Sequence, residues 1–213
     1  MKKIVRISVI LIISISVLVS LGSCTLWKAI FGPDAANILD WMPDLKEGTK
    51  LTYKWTATDE PGESLTEIIT VNGVTKTDDK ITFQMYTNGS PLYYPGNFWL
   101  IASKSKGKLV HSVDSTMSDD DVIVGKQPVE EGTRWVDPDG DTWSITQTAA
   151  KLDVGAGSFS DVVVIKHEYQ DYPDQPEVIY WSVKQGPIRH EYFYRVVAGG
   201  TLYVLASDLS TVD

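Results

Sequence analysis

From Asp44 to the C-terminus the chain alternates apolar and polar residues, and almost no stretch carries the period of a helix. Leu51, Tyr53, Trp55 and Ala57 alternate with Thr52, Lys54 and Thr56; Ile81, Phe83 and Met85 alternate with Thr82 and Gln84. Successive side chains of a strand point to opposite faces, so this period describes strands with one face buried and one in water. Further runs lie at 64–71, 98–103, 108–113, 122–126, 142–148, 150–154, 161–170, 177–184, 188–197 and 201–207. Asn72-Gly73, Asn88-Gly89 and Asp139-Gly140 are tight-turn dipeptides between such runs. Short connections make consecutive strands antiparallel neighbours. The expected fold is all-β: a large antiparallel meander, either a half-open barrel or a sandwich.

Within this single β-rich domain, 44–213, there is an internal echo. Leu45-Lys46-Glu47-Gly48-Thr49-Lys50-Leu51 is repeated in type as Val129-Glu130-Glu131-Gly132-Thr133-Arg134-Trp135. Each copy reads as a turn into a strand that opens one part of the sheet. The echo predicts two similar halves, 44–116 and 122–213, joined through the acidic segment Met117–Asp121.

The N-terminus follows a different rule. Lys2, Lys3 and Arg6 precede an apolar run from Ile7 to Leu21, and Gly22 and Ser23 place small residues just before Cys24. A basic start, an apolar stretch and small residues at its end form the layout of a secretory signal. The stretch is shorter than the roughly 20 residues a membrane-spanning helix needs. Leu21-Gly22-Ser23-Cys24 resembles the lipobox of bacterial lipoproteins. That resemblance implies diacylglyceryl transfer to the Cys24 thiol, cleavage between Ser23 and Cys24, and N-acylation with palmitate-type chains. It also implies a protein of the cell envelope, attached to a membrane through acyl chains on Cys24 and facing the periplasm or the exterior. Residues 1–23 are then a cleaved signal peptide and 24–43 a tether with one short helix. Gly32-Pro33-Asp34 suits the start of that helix, Ile38, Leu39, Trp41 and Met42 give it an apolar side, and Pro43 ends it. Trp27 and Phe31 suit either the lipid interface or packing on the domain.

Charge and cysteine use narrow the partners. The whole chain has 19 Lys and Arg against 28 Asp and Glu, and residues 1–23 hold three of the bases and none of the acids. The mature chain therefore has 16 bases against 28 acids, a net charge of −12. An acidic surface repels nucleic acid and anionic headgroups, so no nucleic-acid partner is expected and lipid must do the anchoring. Cys24 is the single cysteine, and its acylation leaves the domain without disulfide or thiol nucleophile.

Candidate chemistry in the domain reduces to structural readings. Asp137-Pro138-Asp139-Gly140-Asp141 offers alternate carboxylates, but its glycine is fourth where a calcium-binding EF-hand loop has it sixth, and Thr148 stands where that loop has glutamate. The segment reads as a solvated turn between Trp135 and Trp143. Ile165-Lys166-His167-Glu168-Tyr169 and Ile188-Arg189-His190-Glu191-Tyr192 are near copies. In strands their Ile, His and Tyr share one face and their charged residues the other. His167, His190 and His111 lack the spacing of a metal motif and read as structural, with Lys166/Glu168 and Arg189/Glu191 as cross-strand ion pairs. No G-x-S-x-G, S-x-x-K or phosphate-cradling loop is present. No catalytic residue, metal or cofactor is assigned, and the protein is expected not to be an enzyme. Seven Trp and ten Tyr fall mostly at inward positions and read as core.

Ala156-Gly157-Ser158-Phe159-Ser160-Asp161-Val162-Val163-Val164, followed by Tyr180-Trp181-Ser182-Val183-Lys184-Gln185-Gly186-Pro187-Ile188, resembles β-rich bacterial lipoproteins, as does Gly48–Tyr53. Gly186-Pro187 stands where those proteins have G-x-G. The resemblance implies a sheet wrapped as a half-open barrel, distantly like carrier folds that hold acyl chains. Three functions remain in order: a non-catalytic carrier of an apolar ligand, a structural or protein-interaction module of the envelope, and a sugar-binding module. Lipidation is checked by Cys24→Ala, which should leave an unprocessed precursor with no incorporated acyl label; normal processing of that variant would refute the lipobox reading.

Overall fold

The computed structural model describes residues 37–59, 62–89, 95–195 and 201–213, all within the compact unit Ala35–Asp213. Cys24, the lipobox Leu21-Gly22-Ser23, Trp27, Phe31 and the expected helix start at 32–34 lie outside the described residues. Among the described residues no helix is long and apolar enough to cross a membrane.

Among the described residues, twelve antiparallel strands form one sheet: β1 (Lys50–Ala57), β2 (Leu65–Lys76), β3 (Lys80–Thr87), β4 (Gly96–Ser103), β5 (Lys108–Ser112), β6 (Val122–Lys126), β7 (Arg134–Val136), β8 (Thr142–Val154), β9 (Gly157–Glu168), β10 (Glu177–Ser182), β11 (Gly186–Tyr194) and β12 (Tyr203–Val212). Their spatial order is β6-β5-β4-β3-β2-β1-β12-β11-β10-β9-β8-β7. The all-β meander read from the alternation is present, and it curls into a nearly closed barrel. Every neighbouring pair but one is consecutive in the chain. The exception is β1 with β12, where Leu51 pairs with Val212 and Ala57 with Leu205.

The barrel does not close with a full ladder. β6 and β7 are the sheet edges, and a side chain spans the gap between them: Trp135 Nε1 on β7 donates to Ile123 O on β6 at 2.8 Å. Pro128 follows β6 closely, and proline has no N–H with which to extend an edge.

Several local expectations change. Asn72-Gly73 is not a hairpin turn but a bulge inside β2, where the pairing with β3 slips between Val71 and Gly73. An extra residue in a ladder bends the strand and increases its twist, which suits a curled sheet. The runs at 142–148 and 150–154 are one strand, β8, whose pairing with β9 shifts three times. Met117–Asp121 joins β5 to β6, so the break in the ladder falls after β6 and not at that segment. Asp139-Gly140 does turn β7 into β8, with Gly140 at φ +90°.

The two echoed segments make the same hydrogen bonds. Gly48 N donates to Val71 O at 2.8 Å and Gly132 N to Ile145 O at 2.9 Å. Thr49 O accepts from Val71 N and Thr133 O from Ile145 N, both at 2.9 Å. Both glycines have φ near +90°, a left-handed backbone that other residues adopt only at a cost.

One end of the barrel is plugged from within. Ile38–Trp41 form a single 3-10 turn whose first donor is satisfied by Asn37, Oδ1 of which accepts from Leu39 N at 3.1 Å. Ile38, Trp41, Met42 and Leu45 are buried in the barrel core, and Trp41 O accepts from Trp181 Nε1 at 2.8 Å. The β8–β9 hairpin tip docks on β12, where Ala156 N donates to Leu209 O at 2.9 Å. A Cβ on Gly155 would stand 3.1 Å from Ser210 Cα, so a larger residue there would have to push β12 away by a few tenths of an ångström. Full burial of an aliphatic side chain is worth about 1.5–3 kcal/mol and its truncation to alanine about 2–5 kcal/mol. Urea unfolding should therefore show Ile38→Ala losing about 2–5 kcal/mol and Leu39→Ala, on a half-exposed position, clearly less. Equal losses would contradict the plug.

Candidate functional site

Opposite the plug, the barrel holds a cavity of about 550 Å³. Its inner wall is apolar: Leu51, Ile69, Met85, Phe98, Leu100, Val122 and Val124. Val113, 77% exposed, also lines it and marks the open end. The connections at that end, among the described residues, carry eleven Asp or Glu and one basic residue, Arg195.

Between the apolar wall and the mouth runs a belt of polar and aromatic side chains from seven strands and two connections. It begins on β3 and β2, where Thr87 Oγ1 donates to Glu67 Oε1 at 2.7 Å and Trp55 Nε1 to Glu67 Oε2 at 2.9 Å. Trp55 meets His190 edge to face at 5.6 Å. His190 Nε2 lies 2.6 Å from Glu177 Oε1, a close charge contact without aligned hydrogen-bond geometry. Glu177 Oε2 is 2.9 Å from His167 Nδ1 and accepts from Tyr169 Oη at 3.0 Å. His167 Nε2 reaches Asp141 Oδ2 at 3.1 Å, and the imidazole stacks on Trp143 with centroids 3.9 Å apart. Trp143 Nε1 closes the run on Asp137 Oδ2 at 2.9 Å.

The register explains why these groups meet. β10 lies between β9 and β11, with Glu177 opposite His167 on one side and Ile179 opposite His190 on the other. The two echoed pentapeptides thus straddle Glu177, and their Ile and His residues do share the inner face. His111, across the cavity, packs edge to face on Phe98 at 4.9 Å. The charged partners are not cross-strand pairs: Lys166–Glu168 and Arg189–Glu191, each at 2.8 Å, run along their own strands two residues apart. Arg189 also reaches across to Asp208 at 3.4 Å.

Electrostatics fix the protonation of the belt. Burial works to raise the Glu177 carboxyl, but the hydrogen bond from His167 and the close approach of both imidazoles outweigh it and hold Glu177 well below the usual carboxylate range. Burial works to lower His167, and the hydrogen bonds and charges of Glu177 and Asp141 raise it instead. A carboxylate at each ring nitrogen gives both N–H groups of a protonated ring an acceptor, which favours the charged form of His167. Burial alone dominates at His111 and pushes it down, against the opposing charges of Asp121 and Glu177.

Asp137, Asp141 and His167 each offer a ligand atom, all within 4.8 Å of one another. Those atoms already have work within the protein. Asp137 Oδ1 accepts from Asp139 N at 3.1 Å and from Asp141 N at 2.9 Å, and Asp141 Oδ1 accepts from Gln170 N at 2.8 Å. The aspartates shape the β7–β8 turn and pin His167 to it, as the turn reading of this segment anticipates. Glu67, Thr87 and Glu177 are the belt members the motif search passed over. Their signal is parity: Glu67 shares the inner face with Ile69 and Val71, and Glu177 with Ile179 and Trp181.

No known protein family matches the sequence, and no curated protein does. Solved structures match the fold. A "putative exported protein with YmcC-like fold" from Bacteroides fragilis has a TM-score of 0.52 at 14% identity, covering 81% of this chain and 98% of that one. A "putative lipoprotein" from Parabacteroides distasonis has a TM-score of 0.50 at 13% identity, with the same coverage. A LolA superfamily protein from Nitrosomonas europaea has a TM-score of 0.24 at 9% identity, covering 87% of this chain and 92% of that one; that score is too low to indicate a shared fold.

A folded-state shift in either direction links stability to pH. His167 is raised, so its contribution is complete below its ordinary value of 6.5 and is lost as pH climbs through the higher folded value. Glu177 is lowered, so its contribution is present above 4.5 and is lost as pH falls toward the folded value. Urea midpoints should peak between those two ordinary values and fall as pH rises above 6.5. Glu177→Gln should flatten the alkaline fall, and an unaltered profile would sink the assignment.

Proposed function

We propose that this protein is a lipid-anchored component of the bacterial cell envelope whose barrel carries an apolar ligand without chemical conversion. The observation that carries the reading is the cavity: about 550 Å³, apolar along its inner wall, plugged at one end and open at the other. Pockets that hold small molecules are of this size and lining, with a few placed polar groups. The anchoring part rests on the lipobox at Leu21–Cys24, in keeping with a structural neighbour named a putative lipoprotein.

A binding role suits the belt better than catalysis. His167, the residue most suggestive of a general base, has both nitrogens engaged by carboxylates. A base needs a free lone pair in reach of its substrate, and both His167 nitrogens are turned to carboxylates of the protein itself.

Filling the cavity tests the reading. Val124→Trp should cut the saturable uptake of a fluorescent apolar probe, N-phenylnaphthylamine, by about tenfold or more, equivalent to about 1.4 kcal/mol. Native mass spectrometry of the same protein should show an adduct on the wild type and none on the variant. Probe binding unaffected by the substitution would exclude the cavity as the site.

A further inference from the structure

The charge of the cavity selects among apolar ligands, and this inference rests on the carrier reading above. Five carboxylates line the cavity, on Glu67, Asp137, Asp139, Asp141 and Glu177, and among the described residues no lysine or arginine does. Three histidines line it as well, so the carboxylates outnumber the cations even with every imidazole charged. A phosphate or carboxylate head at the mouth would meet a field of its own sign.

Glu67 sharpens the point. It is 5% exposed and sits on the cavity wall, and the partners of its two oxygens are the neutral donors Trp55 Nε1 and Thr87 Oγ1. Glu177, at a similar depth, has two imidazoles beside it. A carboxylate carries about four acceptor positions, so Glu67 retains capacity for further donors. A buried carboxylate without a counter-charge is unfavourably placed, and a cation beside it relieves that. We propose that the ligand is an amphiphile with an aliphatic chain and a positively charged ammonium head, the chain lying on the Ile69–Met85–Leu100 wall and the head paired with Glu67.

The test compares octylammonium, octanol and octanoate at neutral pH, titrated below their micellar concentrations into the full chain held in a non-ionic amphipol. The readout is saturable tryptophan fluorescence, since Trp55 and Trp143 line the cavity. Octylammonium should bind at least about tenfold more tightly than octanoate, with octanol between them. Glu67→Gln, which keeps the size and an acceptor, should reduce that ratio to below about threefold. Equal binding of the three compounds, or a preference for octanoate, overturns the ammonium assignment while leaving the carrier reading intact. A ratio unchanged in Glu67→Gln overturns Glu67 as the counter-charge. Binding of none of the three overturns the carrier reading and this inference together. The wild-type ratio decides even where the variant fails to fold.

Discussion

The β1–β12 ladder is the contact on which the barrel depends. Each other ladder joins strands that follow one another in the chain, so all twelve strands could pair locally and still leave two separate six-stranded sheets, β1–β6 and β7–β12. Pairing Leu51 with Val212 brings the two ends of the domain together and converts two runs of strands into one curved wall. The loop this closes is nearly the whole domain, and the entropy of closing it must be met before the contacts behind it form. The plug supplies part of the offset. Residues just upstream of β1 place Ile38, Trp41 and Leu45 in the space the closed wall encloses, and Trp41 fastens to Trp181 on β10.

The His167–Glu177–Asp141 part of the belt is tolerable inside such a barrel because its members answer one another, whereas Glu67 meets only neutral donors. Glu177 holds two imidazoles, His167 is held by two carboxylates, and Asp141 is held in turn by the backbone of Gln170. Removing one partner would leave a charge in a poorly hydrated wall, which typically costs more than the pair contributes. The belt therefore adds side-chain ties across β8 to β11 to the ladders that already join them. It also places a polar collar at one level of the cavity, so that a guest meets oil below and charge above.

Much of this was legible in the sequence. The period of two gave the strands and the inward faces, including the shared face of His167 and His190, because parity survives any curvature of the sheet. Turn dipeptides were less dependable: Asn72-Gly73 reads as a hairpin by local preference, yet the curled sheet uses it as a bulge. Which strands pair was hidden, since β1 with β12 is settled by closure and not by any local residue. The belt was half hidden for the same reason. Glu67 and Glu177 stand at inward positions in otherwise apolar faces, a pattern visible on inspection. Their partners, though, sit on strands whose adjacency only the topology supplies. The lipobox lies outside the described residues, and its reading rests on the sequence alone.

The seam between β6 and β7 is different in kind from the rest of the wall. Where other neighbours share a row of backbone hydrogen bonds, this pair is joined by the Trp135 indole and the 127–133 connection. Local opening of a protein follows its sparsest contacts, and the free energy of such an opening can be far below that of global unfolding. Amide hydrogens along the facing edges of β6 and β7 should then exchange with solvent well before those of β1 and β12. The barrel would breathe like a cuff with one fastened button: rigid around most of its girth, and loosest along a single line down its side.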